Sequence, residues 1–265
     1  EMRETGKIKH IGFSFHDSWP VFKEIIDYAD GSSNYRWDAC QIQYNYMDTE
    51  IQATTKGLEY AASKNIAVII MEPLKGGRLV APSSEIQAIM ARAQDKKSPV
   101  EWALQFLWNR PEVSVVLSGM GSQQMVDENC TYANRSGINS LKPDDLQVIN
   151  LLAENYRKLI LVPCTSCEYC IEEPCPQGVN IPKNFALVNE LSTTKSPQSV
   201  QKKYQKLAAK KEEIKVGKLN GQAGLCVRCG RCKPLCPQEI DIPAELAKVN
   251  AVLGQGKSLS DVFHK

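Results

Sequence analysis

The chain contains two similar cysteine runs, Cys164-Thr-Ser-Cys-Glu-Tyr-Cys-Ile-Glu-Glu-Pro-Cys-Pro176 and Cys226-Val-Arg-Cys-Gly-Arg-Cys-Lys-Pro-Leu-Cys-Pro237. Each run has three cysteines separated by two residues, and then a fourth cysteine followed by proline. Three thiolates at this spacing can wrap one loop around an iron–sulfur cubane, and a fourth closes the cage. The duplicated pattern predicts two [4Fe-4S] clusters and therefore a chain that transfers electrons.

Other uses of these cysteines are less consistent with the spacing. Structural zinc sites use paired C-x2-C knuckles without a third cysteine at the same step. Disulfides need an oxidising compartment and give no reason for the Cys-Pro ends. Clusters are therefore favoured, and zinc is the main alternative. Cys40 and Cys130 stand alone and are interpreted as ordinary buried thiols.

The assignment of ligands follows the pattern of two-cluster ferredoxins, in which the fourth cysteine of one run ligates the cluster of the other run. The first cluster site is then Cys164, Cys167, Cys170 and Cys236, and the second cluster site is Cys226, Cys229, Cys232 and Cys175. The first run has one extra residue before its fourth cysteine, and this interpretation keeps four ligands at both sites.

The charged neighbours of the two runs differ in sign: Glu168, Glu172 and Glu173 in the first run, and Arg228, Arg231 and Lys233 in the second. Positive charge favours the extra electron of a reduced cluster, and negative charge opposes it. We therefore expect the cluster held mainly by the second run to have the higher reduction potential.

The overall composition excludes several functions. With 32 basic and 30 acidic side chains among 265 residues, nothing indicates nucleic acid binding, and a lysine cluster at 202–211 is interpreted as one solvated helix face. The chain has no signal-peptide pattern and no run of about twenty apolar residues, so no membrane association is expected. Labile clusters and free thiols suit a reducing compartment, and a soluble, cytoplasmic protein is predicted.

Residues 7–141 alternate short apolar runs with amphipathic stretches, which is typical of βα units and a parallel sheet. Strands are predicted at 8–14, 39–44, 67–71 and 113–118, and helices at 19–28, 51–63, 85–93, 100–108 and from 123 onward. Asp48 is interpreted first as a helix cap, and Trp102, Phe106 and Trp108 as core residues. Four βα units are either half of an eight-stranded barrel or a small open sheet.

After Pro143 the pattern changes to helices without strands, predicted at 144–161, 183–191, 199–214 and 244–253. The cysteine runs also continue into similar segments, Pro-Gln-Gly-Val-Asn-Ile-Pro182 and Pro-Gln-Glu-Ile-Asp-Ile-Pro243. This repeat predicts an equivalent helix start after each run. The predicted fold class is α/β followed by all-α.

Four further segments occur in the order of a known family: Gly6-Lys-Ile-Lys-His-Ile-Gly-Phe-Ser-Phe-His16, Cys40-Gln-Ile-Gln-Tyr-Asn45, Met71-Glu-Pro-Leu-Lys-Gly-Gly-Arg78, and Ser118-Gly-Met-Gly121 with Glu128-Asn129. They resemble the C-terminal half of the aldo-keto reductases, and more closely the subgroup with a C-terminal ferredoxin domain. The resemblance implies the last four units of a (β/α)8 TIM-type barrel at 1–141, followed at 142–265 by a mainly helical ferredoxin-like domain with two clusters.

The resemblance also implies positions that contact a nicotinamide nucleotide: Ser14, Gln41, Met71, Glu128 and Asn129. The first three correspond to the nicotinamide end and the last two to the adenine end. Met125 stands where many members have a basic or amide residue near the 2′-phosphate, so NAD and NADP both stay open, and a flavin is not excluded. The Lys75-Gly76-Gly77 turn is either a plain tight turn or a site where backbone N–H groups approach a pyrophosphate.

In the family, hydride chemistry depends on a Tyr, Lys, Asp and His tetrad from the first half of the barrel, to which no stretch of this chain corresponds. No catalytic residue is assigned, and His16 is interpreted first as a hydrogen-bonded loop residue, with a role in proton transfer or ligand contact as the alternative. The sequence is therefore interpreted as beginning partway through the fold. The chain alone is expected to lack reductase activity unless another polypeptide supplies the missing barrel half.

Two functions are compatible with these features. The first is an iron–sulfur oxidoreductase of the aldo-keto reductase class that passes electrons between a nucleotide or substrate in the barrel and a one-electron partner protein. The second is a non-catalytic, ferredoxin-like electron-transfer subunit whose half-barrel is a docking platform. A nicotinamide gives two electrons and each cubane carries one, so coupling would need a flavin or a radical-tolerant substrate to split the pair.

Overall fold

The computed structural model describes residues 2–30, 36–172, 175–193 and 197–263, apart from the side chains of Asp30, Glu172 and Thr193. The chain divides into two compact units, Glu1–Glu154 and Asn155–Lys265. The domain boundary predicted at 141/142 stays a prediction. None of the helices in the described ranges is both long enough and apolar enough to cross a membrane.

The first unit is built on a parallel sheet. Within the described residues its strands are β1 (Gly12–Ser14), β2 (Ala39–Gln43), β3 (Ala67–Met71) and β4 (Val113–Val116), in the spatial order β1-β2-β3-β4. Every neighbouring pair runs parallel, as the alternation of apolar and amphipathic segments predicts. The predicted strand at 8–14 is wrong for its first residues, which are exposed or half-buried and do not pair with β2.

Helices connect and flank the strands: α1 (Trp19–Asp30), α2 (Thr54–Ser63), α3 (Ser84–Met90), α4 (Pro99–Trp108) and α5 (Gln123–Asn134). The start of α4 shows why the local sequence folds in this way. The Ser98 hydroxyl accepts a hydrogen bond from the Glu101 N–H, and Pro99 occupies the first turn, where its missing N–H costs nothing.

The core of the first unit lies between this sheet and its helices. Phe22 of α1, Ile42 of β2 and Ile70 of β3 are completely buried there. Trp102 is also completely buried, as predicted, whereas Phe106 and Trp108 are only half-buried. The sheet is therefore anchored by its two central strands.

The second unit is mainly helical, as the sequence predicts. Its helices are α6 (Pro143–Leu159), which contains the division between the units, α7 (Tyr169–Glu172), α8 (Ile181–Thr193), α9 (Pro197–Gln205), α10 (Ile242–Val249) and α11 (Leu259–Val262). The helix predicted at 244–253 continues past Val249 as a π-helical turn, Asn250–Gly254.

The helix predicted at 199–214 is wrong beyond Gln205. The Ala208 N–H donates to the Asn220 carbonyl, and the Ala208 carbonyl accepts from the Gln222 N–H. These bonds to a distant segment replace the helical ones, and only a short 3-10 helix follows, at Lys211–Glu213.

Gly221 joins the segment after the first cysteine run to the segment before the second. It bridges Val179 and Ala208, and a Cβ at this position would lie 2.8 Å from the Gly178 carbonyl oxygen, so only glycine permits the close approach. Asn184 of α8 donates to the Gly221 carbonyl at 3.0 Å and accepts from the Ala223 N–H at 2.8 Å. These contacts set the relative position of the two cysteine runs.

Candidate functional site

The four cysteines of the first cluster site border one cavity in the second unit. Cys164, Cys167 and Cys170 come from the first run, and Cys236 comes from the end of the second. Apolar side chains complete the wall: Ile181, Phe185, Ile240 and Ile242. An apolar wall limits water access, and water access is one of the factors that set the potential of a cluster.

The thiols of this cavity are held close together. Burial and, to a smaller extent, the neighbouring thiols, Cys164 and Cys236 foremost, together raise the pKa of Cys170 to about 12. Burial also raises the pKa of Cys236, while backbone N–H groups of Ile240 and Gln238 oppose that change. Metal binding deprotonates such thiols, and N–H groups directed at sulfur then stabilise the thiolates.

The second cluster site is also assembled from both runs. Burial, together with the charges of Cys226, Cys175 and Cys229, raises the pKa of Cys232 to about 11. Cys175 belongs to the first run, so its influence on Cys232 reflects tertiary structure. Cys167 and Cys229 are exposed, and the other cysteines of the two sites are buried or half-buried.

A cubane requires ligands arranged around a volume, because each of its four irons takes one thiolate. The first cluster site has this arrangement, since its four thiols border a shared cavity. Among the described residues, no group of three or more His, Cys, Asp or Glu side chains is placed to hold a single metal ion. The cavity that Cys164, Cys167, Cys170 and Cys236 share is consistent with the group that the cysteine spacing predicts, and the assignment of ligands stays a prediction.

The charged residues around the two sites are only partly described. Glu173 and the side chain of Glu172 lie outside the described residues. Arg228 and Arg231 are exposed, whereas the Lys233 ammonium pairs with the Asp241 carboxylate at 3.0 Å. This ion pair reduces the positive charge near the second run, and the expected difference in reduction potential stays a prediction.

The two isolated cysteines differ from each other. Cys40 in β2 is buried, and burial raises its pKa to about 12, in agreement with the interpretation as an inert core thiol. Cys130 is exposed, so the same interpretation is wrong for it. The reason is that α5 presents most of its residues to solvent.

A cavity of about 740 Å³ opens in the first unit, where β3 and β4 end. Three of the five predicted cofactor residues line it: Met71, Glu128 and Asn129. The Asn129 amide donates to the Ser118 hydroxyl at 3.1 Å, which ties α5 to the segment after β4. The volume is typical of small-molecule sites, and the carboxyl ends of parallel strands are where such sites form.

The other two predicted residues, Ser14 and Gln41, do not line this cavity. Gln41 contacts it indirectly, because its amide nitrogen lies 3.4 Å from the Met71 sulfur. Ser14 is the register partner of Gln41 in the sheet. Ser14, Gln41 and Met71 therefore lie on three adjacent strands.

The turn at Lys75-Gly76-Gly77 has a left-handed backbone, with φ of 49°, 62° and 79°. The two glycines line the cavity and adopt this conformation at little cost. The Lys75 side chain instead points into the protein, where its ammonium pairs with the Asp48 carboxylate. The turn therefore lines the cavity with its two glycines, and the Lys75 side chain does not line it.

Asp48 is not a helix cap, so that prediction is wrong. Its side chain is buried, and besides Lys75 it accepts hydrogen bonds from Gln43 at 2.8 Å and Asn45 at 3.0 Å. Sequence reasoning missed the pair because Asp48 and Lys75 follow different strands, and no local pattern connects them.

The charged side chains that line the cavity are both acidic, Glu72 and Glu128, and no basic side chain lines it in the part of the chain that the structure describes. Burial raises the pKa of Glu72, while the Gly76 N–H and the Lys75 charge oppose the change. Its Oε2 atom is buried without a hydrogen-bond partner among the described residues. Glu72 was not singled out from the sequence, although the Met71–Arg78 motif contains it.

Replacing Glu72 with glutamine is expected to remove one source of pH-dependent instability. A carboxyl with a raised pKa favours the folded state below its ordinary pKa of about 4, and loses this contribution as pH rises through the raised value. The thermal stability of wild type relative to Glu72→Gln should therefore decrease as pH rises across this interval. Glu128→Gln, at the exposed carboxylate of the same cavity, is the control. Equal pH slopes for wild type and Glu72→Gln would contradict the expectation.

The comparisons with known proteins agree with this architecture. Residues 1–147 match the model of the aldo/keto reductase family, and residues 163–242 match that of the 4Fe-4S dicluster domain. None of the curated proteins compared matches the chain.

Solved structures of aldo-keto reductases are similar to part of this chain. The holo form of AKR11C1 from Bacillus halodurans is 19% identical, with a TM-score of 0.46, and the match covers 57% of this chain and 52% of that one. The aldose reductase from Giardia lamblia is 18% identical, with a TM-score of 0.42, and the match covers 58% of this chain and 48% of that one. The chain thus spans about half the length of these structures. Because the family model matches more than half of its residues, the chain belongs to the aldo/keto reductase family.

Proposed function

We propose that the chain is an iron–sulfur oxidoreductase that passes electrons between a ligand in the 740 Å³ cavity and a one-electron partner protein, through two [4Fe-4S] clusters. The pairing of an aldo/keto reductase domain with a dicluster domain supports the class. The observation that carries the proposal is the cavity bordered by Cys164, Cys167, Cys170 and Cys236, which come from two separate runs. Each cluster, when bound, supplies one-electron transfer.

The residues of the second unit would hold the clusters and limit the access of water to them. The four thiolates of each site hold one cluster, and the Ser166 N–H, 3.4 Å from the Cys164 sulfur, stabilises negative charge at that ligand. Ile181, Phe185 and Ile242 limit water at the first cluster site. The exposed edges at Cys167 and Cys229 leave each site open to an external partner.

In the first unit, the proposed ligand is a nicotinamide nucleotide. Ser14, Gln41 and Met71 would position the nicotinamide end, and Glu128 and Asn129 the adenine end. The backbone at Gly76 and Gly77 is available to a pyrophosphate, since no Cβ restricts the approach. Two carboxylates and no basic side chain line the described cavity, which favours NAD over NADP because a 2′-phosphate would meet no positive partner there.

We also propose that the sheet is the last four units of a (β/α)8 barrel. The support is its spatial order, β1-β2-β3-β4, which follows the chain without reversal. Doubly wound sheets reverse their strand order at a switch point, whereas barrels do not.

A second candidate function is a non-catalytic electron-transfer subunit whose half-barrel is a docking platform. The observation that favours it is the exposure of apolar side chains at Val115 of β4 and at Leu117, just after this strand. Exposed apolar side chains in a group are typical of protein interfaces.

Anaerobic reduction of the full chain tests these proposals. Material reconstituted with iron and sulfide should contain both elements in cluster amounts, and dithionite should bleach the broad cluster absorbance. Bleaching by NADH supports the oxidoreductase, and bleaching by dithionite alone supports the electron-transfer subunit. Zinc in place of iron, or the absence of acid-labile sulfide, would overturn both.

A further inference from the structure

We propose that a lysine-lined groove beside the first cluster site is the docking surface for an acidic one-electron carrier protein. This inference rests on the proposed electron-transfer function and identifies the partner and its place on the chain. The groove, of about 530 Å³, lies in the second unit, and Lys183, Lys215 and Lys218 line it. We call it the lysine groove.

The lysine groove presents positive charge to solvent. All three lysines are exposed, and none of their ammonium groups forms an ion pair with another residue in the ranges that the structure describes. Glu213 is the one carboxylate in the described lining, and its Oε2 accepts hydrogen bonds from the N–H groups of Ala209 at 2.9 Å and Lys210 at 3.3 Å. Its charge is thus partly offset by the backbone.

The loop that carries two of the groove lysines also exposes an apolar side chain. Val216, between two of the groove lysines, is 103% exposed, more than any other large hydrophobic residue in the described ranges. A solvated lysine face on a single helix is the ordinary alternative, but these lysines come from two segments, the start of α8 and the loop at 215–218.

The lysine groove shares a stretch of chain with the first cluster site. Asn180 and Lys183 line the groove, and the two residues between them, Ile181 and Pro182, line the cavity bordered by the cysteines. A carrier seated in the groove therefore lies beside the site that would receive or donate the electron. The exposed Cys167 is part of the same site.

The chemistry of the groove selects an acidic partner. Three ammonium groups attract carboxylates on the approaching surface, which accelerates encounter at low ionic strength and weakens with added salt. In the exchange, one electron leaves the reduced carrier and one cluster takes it up, so the carrier is oxidised and the cluster reduced by one electron each.

Stopped-flow reduction by an acidic [2Fe-2S] ferredoxin tests the proposal with the full chain, prepared anaerobically with its clusters. We expect the triple variant Lys183→Gln, Lys215→Gln and Lys218→Gln to lower the second-order rate constant at low salt by about tenfold or more, and to flatten its salt dependence. The matched control replaces three other exposed lysines of the second unit, Lys202, Lys206 and Lys257, with glutamine. Its rate constant should stay within about twofold of wild type, because these positions lie outside the groove.

Reduction by dithionite, which needs no docking, distinguishes a defect in docking from a loss of the clusters. Both triple variants should retain the wild-type iron content and the wild-type extent of dithionite reduction. A groove variant that reacts with ferredoxin like wild type overturns the docking proposal, and so does an equal loss in both triple variants. If wild-type clusters accept electrons from dithionite and not from the ferredoxin, docking is overturned and the cluster assignment stands. If they accept electrons from neither, the proposed function fails as well.

Discussion

Replacing Cys236 with alanine is expected to remove one of the two clusters, and with it about half of the iron and acid-labile sulfide, because each cubane needs its four thiolates. The lost cluster should be the one held by Cys164, Cys167 and Cys170, since these thiols share a cavity with Cys236. Iron and sulfide analysis of anaerobically prepared protein measures the loss. Cys130→Ala, at an exposed thiol outside both runs, should leave both contents unchanged.

Double variants identify which cysteines share a cluster. Cys164→Ala combined with Cys236→Ala should lose no more iron than either change alone, because both remove the same cluster. Cys164→Ala combined with Cys175→Ala should lose both clusters, although both cysteines belong to the first run, because the exchange of fourth ligands places them on different clusters. If instead Cys226→Ala and Cys236→Ala together remove only one cluster, each run holds its own, and the exchange of fourth ligands is wrong.

Replacing Asp48 with alanine should destabilise the first unit by about 3–5 kcal/mol, because it leaves the Lys75 ammonium buried without a counter-charge. Both side chains of the pair are only 2% exposed. The four tryptophans of the chain, Trp19, Trp37, Trp102 and Trp108, all belong to the first unit. Tryptophan fluorescence during urea unfolding therefore reports on this unit specifically.

Two control variants separate the buried charge from other causes. Asp48→Asn combined with Lys75→Met removes both charges and keeps an amide oxygen that can accept from Gln43 and Asn45, so it should recover most of the loss. Lys142→Ala breaks an exposed pair with Asp95 and should cost far less. An Asp48→Ala variant as stable as Lys142→Ala would contradict the importance of the buried pair.

Elements with a strong local pattern were predicted well. The strand at Ala67–Met71 has the predicted bounds, because an apolar β-branched run buried in a parallel sheet carries a clear signal. The start of α4 follows from Ser98 and Pro99, which act on the adjacent backbone. The helix predicted at 199–214 failed past Gln205, because bonds from Ala208 to the segment around Gly221 compete with helical ones.

The sequence by itself determined the features that depend on spacing along the chain. These are the cysteine runs with their three close thiolates, the alternation that builds the parallel sheet, and the glycines of the turn at 75–77. Each depends on neighbouring residues, whose geometry the backbone largely dictates.

Only the tertiary structure decided which distant residues meet. It brought Cys236 to the first run, buried Lys75 against Asp48, and placed the loop at 215–218 beside the start of α8 to form the lysine groove. Such contacts join segments far apart in sequence, and packing of the whole unit selects them, so no local pattern contains them.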